Sequence, residues 1–313
     1  MTSSNLIIGL LSATIRMATP LTIVCLGEIM SERSGILNLG LEGIMLVGAF
    51  TSFWVAYFTE NLLMALLVGI AVGGLIGLLH AVLTVTASTD QVVTGIAIWL
   101  LGVGLSSFGY RAVFGIVYPP PTIDGFNALN IPFLSETPIL GRILFQQDVF
   151  VYLAFFMVPI FAFVLYRTTF GMKVRAVGEN PAAADTSGIN VHRTRYLSVI
   201  LGGMLAGLGG AYISLAYARM FTDYVTAGRG WIAIALTVFA GWDPFKALVG
   251  ALLFGGVEAI ELRLQVIGLG IPYEFFVVLP YVLTIVALFI VRLRKKTGAP
   301  AALGVPYKRG EGK

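Results

Sequence analysis

The sequence predicts an all-α membrane protein, a bundle of transmembrane helices with about nine spans and eight to ten as the bounds. Three observations carry that reading. Of 313 residues, 58% are hydrophobic and only 12% charged, where a soluble domain carries about a quarter charged residues; mean hydropathy is +0.91. The apolar residues form continuous runs near the ~20 residues that cross a bilayer, not the ten-residue alternating segments of a β-barrel. Glycine is abundant, at 37 residues, as suits helices that approach closely in lipid, where no hydrophobic force drives them together.

The apolar runs fall at 5–27, 40–58, 62–86, 92–114, 148–166, 196–217, 229–241, 245–264 and 273–291. The seventh is short and reads as a tilted or broken helix. The opening MTSSNLIIGLL lacks the basic region of a secretory signal, and no small-x-small cleavage site follows, so the first run is expected to stay as an anchor. Between the fifth and sixth runs lies the loop 167–195, with Arg167, Lys173, Arg175, Arg193 and Arg195 among the chain's 20 Lys+Arg. Basic residues near span ends resist translocation, which places this loop in the cytoplasm. Alternation then puts Lys246 and Arg292–Lys296 inside, and the loop 116–147 and the N-terminus outside. Residues 1–313 read as a single transmembrane domain. The external loop holds Pro119, Pro120, Pro121, Pro132 and Pro138, and its length favours a short surface helix or a docking face for an external partner.

Within the cytoplasmic loop, Gly178-Glu179-Asn180-Pro181 is a turn signal. Pro181-Ala182-Ala183-Ala184 begins a short helix with proline in its first turn, and Gly188 is placed to stop it. A short alanine-surfaced helix at a membrane face is shaped to be gripped by a second protein.

Several function classes lose support. The net charge of +4 arises from cations where the positive-inside rule places them, so no nucleic-acid partner is expected. Cys25 is the single cysteine, which excludes a disulfide framework. No Gly-x4-Gly-Lys-Ser/Thr motif occurs. His80 and His192 lie too differently to form a metal pair, and no Ser-His-Asp or Cys-His arrangement is visible, so neither a metal site nor catalysis is expected.

Polar residues at membrane depth are costly unless they face protein or water. Glu28 to Gly43 gathers several. Glu28 reads as a solvated charge in a cytoplasmic hairpin, and Glu32 can neutralise Arg33. Asn38 and Glu42 are spaced i, i+4 and would share a helix face, lining a solute path or packing internally. Asp90 is placed to cap the fourth run, while Gln91 and Thr94 share a face that can reach a polar ligand. Glu258, Glu261 and Arg263 fit snorkelling to the outer interface or a path role. Trp231 and Trp242 sit at run ends, as an aromatic belt predicts; Trp99 is mid-run and can stack on a ring. Glu274 caps the last run. Gly27, Gly43 and Gly48 distantly match Gly241, Gly250 and Gly255, a weak internal repeat.

Two motifs tie these features to a family. Ser31–Phe50, SERSGILNLGLEGIMLVGAF, and Gly171–Val191, GMKVRAVGENPAAADTSGINV, resemble permease subunits of ABC importers in the branched-chain amino acid, ribose and nucleoside group. DQVVTG at Asp90–Gly95 and GRGWIAIA at Gly228–Ala235 extend the match over nearly the whole chain. The second motif looks like the family's coupling loop; the first is similar to the nucleoside branch, served by a basic-membrane-protein-type lipoprotein. One position departs: that branch often carries Asn where this chain has Trp99, which removes an amide and adds a stacking face.

The resemblance implies an ABC permease fold in a bacterial cytoplasmic membrane. It implies import of a small polar solute, a nucleoside foremost, by alternating access. ATP and Mg would be held by a separate ATPase subunit docked on Gly178, Glu179, Asn180, Pro181, Ala182, Ala183, Ala184 and Gly188. A second, different permease chain and an extracytoplasmic binding lipoprotein complete the assembly, and Asn38, Glu42, Gln91, Thr94 and Trp99 are the path candidates. Ribose, another simple sugar or a branched-chain amino acid are the alternative cargoes. An ion-coupled transporter would need a mid-span acidic pair and a lipid-modifying enzyme a His–acid cluster at one interface; the sequence presents neither plainly.

Overall fold

The computed structural model describes residues 3–132, 134–137, 139–267, 275, 278–293 and 298–309. In chain order the helices are α1 Ser3–Arg33, α2 Leu41–Thr59, α3 Leu62–Ala81, α4 Gln91–Phe114, α5 Leu140–Leu144, α6 Val149–Arg167, α7 Thr169–Glu179, α8 Pro181–Thr186, α9 Val191–Tyr212, α10 Arg229–Phe239, α11 Pro244–Ile267 and α12 Leu279–Leu293. A π-helical turn extends α3 over Val82–Thr86, and another extends α9 over Ile213–Tyr217. The strands are a minor hairpin, β1 Leu129–Asn130 antiparallel to β2 Gln146–Gln147.

The all-α expectation holds, and six helices among the described residues are long and apolar enough to cross a membrane: Asn5–Arg33, Leu41–Thr59, Leu62–Thr86, Gln91–Phe114, Val149–Arg167 and Val191–Tyr217. The three later runs coincide with α10, α11 and α12 but fall short of that standard. α10 has only 11 residues, α11 carries Lys246, Glu258, Glu261 and Arg263, and α12 has 15 residues. Glu274 and residues 294–296 lie outside the described residues.

Local sequence explains half of the helix starts. Asn61, Asp90, Asp148, Thr168, Asn180 and Asn190 each accept a backbone N–H from the first turn of the helix they precede, supplying partners that helix geometry leaves missing. The expected cap at Asp90 is among them, its Oδ1 2.9 Å from Val93 N.

Packing centres on α1 and α9. α9 lies against α1, α2 and α3, and α1 also packs along α11. Leu21, Ile23, Leu26, Ile29 and Met30 of α1 join Ile44, Phe150 and Tyr212 in the interior, all 0 or 1% exposed. Cys25 lies there too, fully buried, with Sγ 3.2 Å from Thr237 Oγ1. The α3–α9 seam is a run of glycines. A Cβ on Gly207 would lie 3.0 Å from Gly73 Cα, and one on Gly77 3.1 Å from Gly203 Cα, so these backbones meet with no room for side chains.

The loop 116–147 contains the β-hairpin and the short helix α5, as its length suggested. At the opposite end, the Arg33 carbonyl abuts Gly178, so α1 ends on the face that carries α7 and α8. Residues 298–309 cross the same face.

These contacts make the seam testable. Gly73→Leu is expected to lower the melting midpoint in detergent by roughly 5 °C or more. Gly104→Ala, with nothing within 4 Å of the added Cβ, is expected to leave it unchanged or slightly raised. Equal midpoints for the two variants would refute the close-packed seam.

Candidate functional site

Two helices begin inside the molecule. After α1, residues 34–40 do not continue as helix. They rise along α4: the Leu37 amide donates to Gln91 Oε1 at 2.8 Å, and Gly43 packs against Trp99 and Gly102. Gly102 stands roughly 16 Å above Gln91 at 1.5 Å per residue, so α2 starts near mid-depth. α10 starts there too, because Gly230 abuts Glu42, and it descends to Trp242 beside Arg33.

Glu42 joins the two starts. It stands in the first turn of α2, yet its carboxylate accepts from Thr226 Oγ1 at 2.5 Å, Gly228 N at 2.9 Å and Gly230 N at 2.6 Å. Those amides belong to the N-terminus of α10, where the helix dipole favours a negative charge. Glu42 is 2% exposed, so it is a buried staple between two helix N-termini.

The expected shared helix face of Asn38 and Glu42 is not found. Asn38 precedes α2 in non-helical backbone, its Oδ1 accepting from Gly40 N at 3.0 Å and its own amide donating to Glu28 Oε1 at 3.0 Å. Glu28 is therefore no solvated hairpin charge; it is 0% exposed and bound to the re-entrant backbone. Gln91 and Thr94 are also buried and serve structure: Gln91 holds Leu37, and Thr94 Oγ1 bonds Thr89 Oγ1 at 2.8 Å. His80 Nε2 lies 3.2 Å from the Leu37 carbonyl.

The tryptophans depart from the aromatic-belt expectation. Trp231 sits in the first turn of α10 and meets Trp99 edge to face, centroids 5.5 Å apart at 76°. Trp242 is buried and donates its indole N–H to Glu32. Glu32 does not neutralise Arg33, which donates to the carbonyls of Gly298 at 3.3 Å and Gly241 at 3.4 Å. Nor does Glu258 snorkel outward. It pairs with Arg229, side chains 16% and 7% exposed, and the Arg229 guanidinium lies 5.6 Å from the Tyr217 ring centroid. Arg229, Trp231 and Thr226 were missed as site residues, although the Gly-Arg-Gly-Trp pattern before a short apolar run was a visible signal.

Near the C-terminal end of α4, Asp223 accepts from Ser107 Oγ at 2.7 Å and Arg111 Nη2 at 2.9 Å. The Ser107 hydroxyl, and then the Arg111 guanidinium, hold its carboxyl below the usual range.

The loop 167–195 forms largely as read. Asn180 Oδ1 accepts from Ala183 N at 3.0 Å, Pro181 opens α8, and Gly188 adopts φ +83 just beyond its end. Glu179, Asn180, Ala182, Ala183 and Gly188 are exposed, while Ala184 packs inward with Val177 and Val191. The anticipated turn is shorter than expected: Gly178 and Glu179 finish α7, leaving Asn180 as the joint.

A family profile described as "Branched-chain amino acid transport system / permease component" matches residues 10–288. The chain belongs to this permease family. A guanosine ABC transporter permease of Bacillus subtilis is 39% identical over 96% of this chain and 96% of its own length. A nucleoside ABC transporter permease of Lactococcus lactis is 37% identical over 93% of each. A Haloferax volcanii protein, provisionally named a glucose ABC transporter permease, is 44% identical over 84% of this permease and 80% of itself. Each of these organisms also holds a second, more distant match named for the same solute, at 28%, 26% and 25% identity respectively.

Removing the staple tests the junction. Glu42→Ala leaves the α10 amides without their acceptor and is expected to cost on the order of 2–4 kcal/mol, read as a lower melting midpoint and poorer yield. Glu42→Gln, which keeps an acceptor oxygen, is expected to fall between it and the parent. A midpoint for Glu42→Ala within error of the parent would contradict the staple.

Proposed function

We propose that this permease imports a neutral polar solute, a nucleoside foremost, along the α2–α4–α10 junction, driven by a separate ATPase docked on α8. The observation that carries the reading is the occupancy of the α10 N-terminus by Glu42. Broken-helix N-termini in transporters commonly receive an anionic group of the substrate. Here the protein's own carboxylate fills that place, so an amino acid carboxylate is not served, while Trp99 and Trp231 offer aromatic faces beside it. The nucleoside-named relatives, similar along nearly their full length, agree with that chemistry. Asn38, Glu42, Gln91 and Thr94 then shape the path by fixing backbone, and the two indoles face the cargo. A simple sugar is the second reading, favoured by the glucose-named relative.

Two further features support the assembly. Paired matches in three organisms, one near and one distant, fit a permease that works with a second, different permease chain. On the external face, Ile116 and Tyr118 are 96% and 95% exposed and border a cleft of about 500 Å³ reaching Arg111 and Asp223; exposed apolar groups of this kind mark docking surfaces. The partner there would be the solute-binding lipoprotein, and the membrane a bacterial cytoplasmic membrane. ATP and Mg are the ATPase's, which grips the exposed Ala182–Ala183 surface.

The deciding experiment is uptake by the complete complex of ATPase, both permeases and binding lipoprotein, with radiolabelled adenosine, uridine, ribose, glucose and leucine compared. ATP-dependent nucleoside uptake is expected; sugar uptake would favour the second reading, and leucine uptake would refute a neutral-solute path. In the same complex Ala183→Asp is expected to abolish solute-stimulated hydrolysis while membrane insertion is kept. Normal stimulation in that variant would remove α8 from the mechanism.

A further inference from the structure

The segment 298–309 is bound along its length to five elements: α1, α7, the re-entrant segment, α9 and α8. Its start receives Arg33 Nη1 at the Gly298 carbonyl, 3.3 Å away. Ala302 N donates to the Gly178 carbonyl at 2.8 Å, at the end of α7, and Gly304 N to the Gly35 carbonyl at 3.2 Å, in the re-entrant segment. Arg195 of α9, 1% exposed, donates from Nε to the Ser34 carbonyl and from Nη1 to the Val305 carbonyl, each at 3.2 Å. The guanidinium thus joins the tail to a carbonyl just beyond the C-terminus of α1, where the helix dipole favours a cation. At the far end Tyr307 Oη and Arg309 Nε both reach Asp185 Oδ2 of α8 at 3.0 Å, while the Tyr307 ring packs beside Val177, Ala184 and Val191.

We propose that residues 298–309 act as a tie between α8 and the re-entrant segment 34–40, carrying displacement of α8 to the α2–α10 junction. The proposal rests on the reading of α8 as the ATPase-gripped helix. Along the chain six helices, α2 to α7, separate α8 from that segment, and through the tie the separation becomes Asp185 to Tyr307, a few residues of backbone, and Gly304 to Gly35. Glu42 stands seven positions beyond Gly35, so force delivered there reaches the staple through one short stretch of chain. Tyr307 and Arg309 are positioning residues in this arrangement.

The test uses the complete complex with this chain truncated after Pro306, and separately with Tyr307→Phe and Arg309→Gln combined. The anchor of Arg195 on Val305 survives in both. The ATPase is expected to co-purify as before and basal hydrolysis to stay unchanged, while solute moved per ATP falls at least about fivefold, the lower range of coupling energies. Hydrogen exchange at amides 35–40 supplies a readout that a merely structural role would not move: its change on trapping nucleotide is expected to disappear. Transport per ATP equal to the parent's, or an exchange change that persists, would overturn the tie. Loss of co-purified ATPase would overturn it too, showing that the tail touches the ATPase directly. If the truncation does not accumulate, the double variant decides, since the Arg309 side chain is 81% exposed and its loss leaves the fold intact. Failure of the α8 reading shows separately, as normal stimulation in Ala183→Asp with the tail untouched.

Discussion

Backbone that leaves a helix inside a bilayer must find every hydrogen-bond partner within the protein, because lipid offers none. Among the described residues the permease breaks its helices before α2 and before α10, and several of its buried polar side chains are arranged around those breaks. Gln91, His80 and Glu28 hold the backbone of Leu37 and Asn38, Asn38 holds Gly40, and Glu42 holds Gly228 and Gly230. A polar residue at membrane depth invites a reading as part of the transport path. In this protein most such residues are engaged with main chain, and what they hold in place is the backbone at the two breaks.

The sequence made the local features legible and hid the long-range ones. Caps and stops involve residues a few positions apart, so Asp90, Asn180, Pro181 and Gly188 could be read where they stand. Glu42 finds its partners 184 to 188 positions away, and Trp242 meets Glu32 across 210; no pattern within either stretch announces the other. Spacing also misled where it presumed a helix: Asn38 and Glu42 share a face only in unbroken α-structure, and the chain breaks between them. The likeness of Trp231 to a belt residue failed for a related reason. α10 starts at mid-depth, so its first turn is not at an interface.

Rigid and movable parts are built from different contacts. The α3–α9 seam is glycine against glycine, backbone to backbone, with dispersion forces over a large area and nothing to exchange. The α2–α10 junction is held by a few directional bonds to one carboxylate, which can be traded for others. α4, flanking the junction, turns Val93, Leu100, Leu105 and Phe108 outward, an apolar face suited to lipid or to a second permease chain. Rearrangement is therefore easier at the α2–α10 junction than along the α3–α9 seam.

The buried state of Cys25 has a practical side. Thiol reagents attack the thiolate, and this sulfur is fully enclosed among α1 and α10 side chains, bonded to Thr237. The chain is thus expected to be silent toward water-soluble maleimides while folded. Spectroscopic labels placed one at a time on engineered cysteines can report distances across the membrane without first replacing the native residue, and labelling of Cys25 itself becomes a gauge of unfolding.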